Sequence, residues 1–487
     1  MAKSHSIVLA GLASLAATAA FAASPNGSTS ALDKSSQALG VANVTSLQVS
    51  ATGKAGSLGQ SFTPTSAWPL LKVISYSRTI DYPSQSSREE MTRTHEDPPA
   101  KGGGAPFAGE QKLVNLVSGK YAWNQPGAQP QPALAAAEER QLQIGLTPHG
   151  FIKAALANAA TEKKVKGGTE VSYSVNGKFK VSGLIDSQGL VVRTKTWIPN
   201  PVLGDMVIES DYSDYKDFSG VTFPAHIVQK QGGFPVLDLT VSSVQVNVAN
   251  AALAAPEAVR NATAPAVRVE SQKLADGVWF IGGGSHNSVL LEYKDYLAVV
   301  EAPNNEERSL AVIAEAKKLV PGKPIKYLIN THHHFDHSGG IRTYVAEGAV
   351  IVTGAGNKAY YEQAWRAPRT LAPDTLAQNP KKASFIEVKG EYVLTDGTRS
   401  LELHRTEGDT HNASILFGYL PKEKMLTEAD DFTPGAPNGP ALVPVALGLG
   451  NTLYDNITRL KLDIATIAPL HGRVVPYTDF TKALGKQ

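Results

Sequence analysis

Four histidines and an aspartate crowd into ten residues, Thr331-His332-His333-His334-Phe335-Asp336-His337-Ser338-Gly339-Gly340, directly behind the apolar run Ile325–Ile329. The apolar run reads as a short buried strand, and the glycine pair marks where the chain leaves the loop behind it. His332 and His334 stand two apart, so in an extended or tightly looped segment both imidazoles project to one side and can meet one cation. His333 points away from them. Asp336 and His337 follow where the chain turns, and can reach a second cation close by. Imidazole nitrogen with carboxylate oxygen suits Zn²⁺ first, with Fe or Mn as competitors. A run of histidines can also be a solvated loop. The strand leading in, the aspartate interrupting the run and the glycines leading out favour a built site.

The chain of 487 residues is too long for one ordinary core, and its texture changes along its length. Residues 24–250 read as an antiparallel β-rich domain. Thr169–Val175 alternates apolar and polar, Asn176-Gly177 supplies a two-residue hairpin turn, and Phe179–Leu184 returns. Further strands are expected at Leu190–Ile198, Asp205–Ser210, Val221–Gln229 and Val236–Val248, a spacing that implies one curved sheet. Asp97–Gln111 and Gln125–Pro132 read as surface loops, and Ala133–Ala160 as helical. Residues 251–269, rich in Ala and Pro, read as a linker. From residue 270 to 487 strands and helices alternate. Val289–Tyr293 and Leu297–Val300 form a strand pair, and Asn305 caps a helix from Glu306 to Val320 with acidic residues at its start and lysines at its end. The fold class is α+β overall.

Residues 1–22 carry Lys3, an apolar run from Ile7 to Ala22 and a small-x-small ending, Ala20-Phe21-Ala22. That pattern is expected to be a Sec-type signal peptide and places the protein in the periplasm or outside the cell. No other segment approaches an integral membrane span. There is no cysteine, which excludes disulfides, thiolate metal sites, a cysteine nucleophile and a lipoprotein anchor. A formal net charge of +2 argues against nucleic acid as a partner and leaves a small molecule as the expected substrate.

His332-x-His334-x-Asp336-His337 resembles the signature of the metallo-β-lactamase superfamily, and the remaining motifs of that family follow in order. Gly408-Asp409-Thr410-His411 is similar to its Gly-x-x-His, Met425–Asp430 to its segment ending in a bridging carboxylate, and His471-Gly472 to its final ligand. The resemblance covers residues 270–487. It implies a four-layer αββα sandwich in which His332, His334 and His411 hold one metal while Asp336, His337 and His471 hold the other. Asp430 bridges them by the motif's register, although its neighbour Asp431 could carry that role. Two zinc ions and a bridging hydroxide would then hydrolyse an ester, lactone, thioester or amide bond, with Asp336 orienting the hydroxide and passing a proton to the leaving group. His286, where the family's first strands turn near the site mouth, is a candidate for touching substrate. His404 reads as a strand residue. Glu301 stands where the family often has Asp, which puts a supporting contact in doubt. The same ligand set can hold iron, so an oxidoreductase is the alternative, and a non-catalytic metal-stabilised binder is a third reading. The N-terminal half more faintly resembles the curved sheets of lipoprotein carriers.

Overall fold

The computed structural model describes residues 30–436 and 439–486. The expected signal peptide lies outside the described residues. None of the described helices is long and apolar enough to cross a membrane.

The N-terminal half is built on one antiparallel sheet of thirteen strands. Its first strand, Ser46–Gly56, pairs along its length with its last, Phe234–Val246, so two meanders are joined at the middle of the sheet. Register shifts beside Ala51 on both of its neighbours add the local twist that curves such a sheet. Helices Ala137–Gly145 and Pro148–Ala157 carry the chain from one edge of the sheet to the other. Their apolar faces close the concave side: Ile144 packs with Leu47, Val73 and Phe223, and Phe151 and Ile152 pack with Val171, Phe179 and Ile208. The Phe151 ring lies so close to Gly183 that a Cβ there would sit 2.4 Å from it, which reserves that strand position for glycine.

Several expected strands extend further than the sequence implies, the longest being Gly204–Asp217. The hairpin after Val175 has a three-residue turn rather than two, because Val175 pairs with Phe179. The linker also differs from expectation. It carries a short helix, Glu257–Arg260, and buries Ala255 and Val259 against Val114, Leu116 and Trp123 of the sheet. Two small apolar side chains suffice to dock it because Trp123 supplies the area.

The C-terminal half stacks two sheets. Seven strands from Glu270–Ala275 to Ser384–Val388 form one, and six from Glu391–Thr395 to Val475–Pro476 form the other. Their facing sides share a core in which Val289, Leu291, Val300 and Ile329 meet Leu401, Leu403, Leu416 and Leu470. Helices Glu306–Leu319 and Ile341–Glu347 cover the outer face of the first sheet, and helices Pro444–Arg459 and Tyr477–Ala483 that of the second. Burial on both faces explains why Leu297–Val300 is apolar at every position. The layers are therefore αββα, with an antiparallel β-rich region before them. Asn305 caps the first outer helix by accepting from the Arg308 N–H at 2.9 Å.

Candidate metal centre

Strand Ile325–Asn330 is parallel to both of its neighbours, and the histidine cluster begins where it ends. Asn330 organises the loop from inside. Its amide donates to the carbonyls of His332 (2.7 Å) and His337 (3.2 Å) and to Glu301 (3.1 Å), while its oxygen accepts from Thr353 and Tyr361. His332 and His334 lie on irregular backbone, and a one-turn helix, Phe335–Ser338, carries Asp336 and His337.

The buried imidazoles have their outward nitrogens occupied. Nδ1 of His337 donates to Glu301 Oε2 at 3.0 Å, and Nδ1 of His471 donates to the Ser285 carbonyl at 3.0 Å. The Thr331 hydroxyl donates to Glu301 and so accepts from His332 Nδ1 at 3.1 Å. Nε2 of His334 donates to the Ser61 carbonyl at 2.9 Å, which leaves its Nδ1 buried without a partner. Each ring therefore turns a lone pair inward, as metal-binding imidazoles do when their other nitrogen is hydrogen-bonded.

Inside the cluster, Nε2 of His332 lies 3.3 Å from Nε2 of His411, and Nε2 of His337 lies 3.1 Å from Nε2 of His471. Two nitrogens bound at about 2.0–2.1 Å to one tetrahedral cation would be about 3.3 Å apart. Asp430 reaches both pairs. Its Oδ2 is 2.9 Å from His337 Nε2 and 3.4 Å from both His332 and His411, and its Oδ1 is 3.2 Å from His471. Asp431 instead accepts from Thr406 at 3.1 Å. His332, His334 and His411 form one donor group, and His286, Asp336, His337 and His471 form a second. The donor set and its inward lone pairs fit two cations.

The electrostatics point the same way. Burial, reinforced by neighbouring imidazoles, pushes His332 and His334 well below the ordinary imidazole value, so both are neutral and ready to ligate. Burial alone would raise the Asp430 carboxyl, but His337 and His411 more than offset it and hold Asp430 ionised. Burial likewise opposes charge on His337, yet the carboxylates of Asp430 and Asp336 outweigh it and raise its pKa, because they stabilise positive charge, proton or cation, at its inward nitrogen. The field at the cluster attracts positive charge.

Two of the carboxylate residues of the cluster sit on strained backbone. Glu301 (φ 76°) and Asp430 (φ 64°) are left-handed non-glycine residues. Each delivers a carboxylate to the cluster. At Glu301 the supporting contact that the change from Asp put in doubt is made, to His337 Nδ1, and the glutamate is fully buried.

His286 lies inside the second donor group, not at its rim. The Ser285 hydroxyl donates to its Nδ1 at 2.7 Å, and its Nε2 donates to Asp336 Oδ2 at 3.2 Å. His404 is on strand Ser400–Arg405, stacked near Phe417. His333 turns away, as its spacing implies. It accepts from Asn412 Nδ2 and donates to the Ser61 hydroxyl, both at 3.0 Å.

The N-terminal half completes the surroundings, which sequence reasoning missed. Loop 57–69 joins strands Ser46–Gly56 and Leu70–Asp81. From it Gln60 donates to Asp336 Oδ1 at 2.8 Å, and Ser61 holds both His333 and His334. The Phe335 ring packs against Gly59, where a Cβ would be 2.2 Å away, and meets Trp68 edge-on at 5.8 Å. Asp97–Gln111, expected as a surface loop, is tied in as well, because Gly102 N–H donates to the Thr410 carbonyl at 2.8 Å. A second clip joins the halves further off. Arg369 donates to the carbonyls of Asn200, Pro201 and Val202, and Asp205 accepts from Thr370. Gln and Ser in a polar loop carry no sequence signal for such a role.

Residues 281–426 match the family model of the metallo-beta-lactamase superfamily. Among solved structures, the chain is similar to a metallo-beta-lactamase from Pontibacter korlensis, with 18% identity over 45% of this chain and 98% of that one and a TM-score of 0.35. A metallo-beta-lactamase from Hirschia baltica gives 19% identity over 45% of this chain and 97% of that one, with a TM-score of 0.35. The rubredoxin oxygen:oxidoreductase of Desulfovibrio gigas gives 16% identity over 44% of this chain and 60% of that one, again with a TM-score of 0.35. No curated protein matches the chain.

Proposed function

We propose that this chain, whose C-terminal half is a metallo-β-lactamase-like domain, is an exported binuclear zinc hydrolase that cleaves an ester, lactone, thioester or amide bond. The observation that carries the reading is the convergence of the donors in two groups, with Asp430 within reach of both and nitrogens spaced for cations. His332, His334 and His411 would hold one zinc, Asp336, His337 and His471 the other, and Asp430 would span both. When bound, such a pair lowers the pKa of water towards 7 and polarises a carbonyl oxygen.

The chain's own residues do the rest. Glu301, Thr331 and Ser285 fix the tautomers of His337, His332 and His471, so no imidazole has to reorient during turnover. Asp336 is the more exposed of the two cluster carboxylates, at 35% against 14% for Asp430. Gln60 and His286 grip it from two sides. It is the group suited to take a proton from the attacking water and return it to the leaving atom. His286 is assigned to holding Asp336 rather than to touching substrate. Export rests on the leader pattern of residues 1–22.

The test is metal content of the untagged mature chain together with turnover on a panel of lactams, lactones, thioesters and esters. Near two zinc per chain with zinc-dependent turnover of one bond class is the expected result. Stoichiometric iron with no hydrolysis would replace this reading with the oxidoreductase.

A further inference from the structure

A cavity of about 680 Å³ opens beside Thr410 and His411, and most of its wall comes from the N-terminal half. Its volume falls within the range of pockets that enclose a small organic molecule, roughly 300–1,000 Å³. Leu58, Leu71, Phe107, Val445 and Leu449 give it an apolar lining. Among the described residues no carboxylate lines it, whereas Arg93 and Lys101 do.

Arg93 is the informative residue. Its Nε donates to Gln111 Oε1 at 2.8 Å, and among the described residues its terminal nitrogens have no hydrogen bond and no ion pair. Strand Ser86–Thr94 holds it in place, half-buried, and burial lowers its hold on its proton. A half-buried guanidinium whose terminal nitrogens face an apolar-lined cavity with no carboxylate in its wall is a ready contact for an anion. Beside it the His95 ring stacks on Phe107, with centroids 4.3 Å apart, and makes a flat apolar wall next to the charge.

We infer that this cavity is the substrate-binding pocket, and that it selects a small anionic amphiphile, with the apolar body against Phe107 and Leu449 and the anion on Arg93. The inference deepens the hydrolase reading and rests on it only for the word substrate. The recognition elements lie outside residues 281–426, the segment that matches the family model.

The test uses the full zinc-loaded chain and two fluorescent probes with one skeleton. 8-Anilinonaphthalene-1-sulfonate carries the anion, and N-phenyl-1-naphthylamine lacks it. Arg93→Gln is expected to weaken the sulfonate about tenfold, the loss of a charge-assisted contact, and to leave the neutral probe within about twofold. Gly448→Phe places a ring where the structure shows open space on the cavity wall, and is expected to reduce binding of both probes. Zinc content and melting temperature check that both variants fold. Equal sulfonate binding by Arg93→Gln, a parallel loss of both probes in it, undiminished binding by Gly448→Phe, or no binding to the parent chain would each overturn the assignment. Neither readout involves turnover, so an inactive protein that passes these tests loses the hydrolase reading and keeps the anion pocket.

Discussion

The metal-side donors follow strands whose C-terminal ends are buried, such as Ile325–Asn330 and Met425–Thr427, where surrounding neighbours fix most of the rings. The N-terminal sheet is half-buried, with alternating patterns such as that of Gly204–Asp217, and it meets the same cluster only through loops. The donors are groups that must hold position to a few tenths of an ångström. The loop residues need only reach. Burial suits the former, and a loop anchored at both strand ends suits the latter.

The largest effect is expected from removing a donor. Asp430→Ala should abolish stoichiometric metal binding and lower kcat by about a thousandfold or more, because both donor groups lose their shared carboxylate. Elemental analysis beside the rate measurement checks it. Persistence of full metal content would move the bridging role away from Asp430.

A pH titration of stability probes the other half. His149 is fully buried, donates to the Leu39 carbonyl at 2.9 Å and has an unpartnered Nδ1. Burial lowers its pKa from 6.5 to about 4. The folded state therefore binds fewer protons than the unfolded chain between those values. The stabilisation is complete above pH 6.5 and is lost as pH falls to 4, about 3 kcal/mol in all. Denaturant midpoints should drop over that window, and His149→Gln should flatten the drop. An unchanged slope in the variant would sink the idea.

Packing of the helices on the N-terminal sheet is tested by Gly183→Ala. The new methyl meets the fully buried Phe151 ring, so a loss of about 1–3 kcal/mol is expected with metal content unchanged. A variant as stable as the parent would mean that the helix shifts freely.

The smallest expected effect lies where the halves meet. Gln60→Leu should cost roughly tenfold in kcat, with melting temperature nearly unchanged, and should shift the pH–rate profile because Asp336 loses a donor. If only stability changes, loop 57–69 is a brace and not a positioning element.

Much of the centre was legible in the chain because metal chemistry restricts residue type. In a chain without cysteine the strong side-chain ligands are imidazoles and carboxylates, and their spacing follows from strand and turn geometry, so the cluster at 332–337 and the later His411, Asp430 and His471 stand out as candidates. Layering in the C-terminal half was legible for a related reason, since strands buried on both faces must be apolar throughout. Asp430 was favoured over Asp431 by register, and the fold separates them by turning one into the cluster and the other towards Thr406.

What the sequence determined alone was thus the donor chemistry and the alternation of strands and helices, both consequences of local residue type. Tertiary structure decided that Gln60, Ser61 and Arg93, ordinary polar residues more than two hundred positions away, stand beside the donors or in the cavity next to them. Hydrogen bonding and cavity lining depend on which surfaces meet, and a polar residue in a loop carries no mark of the partner it will find.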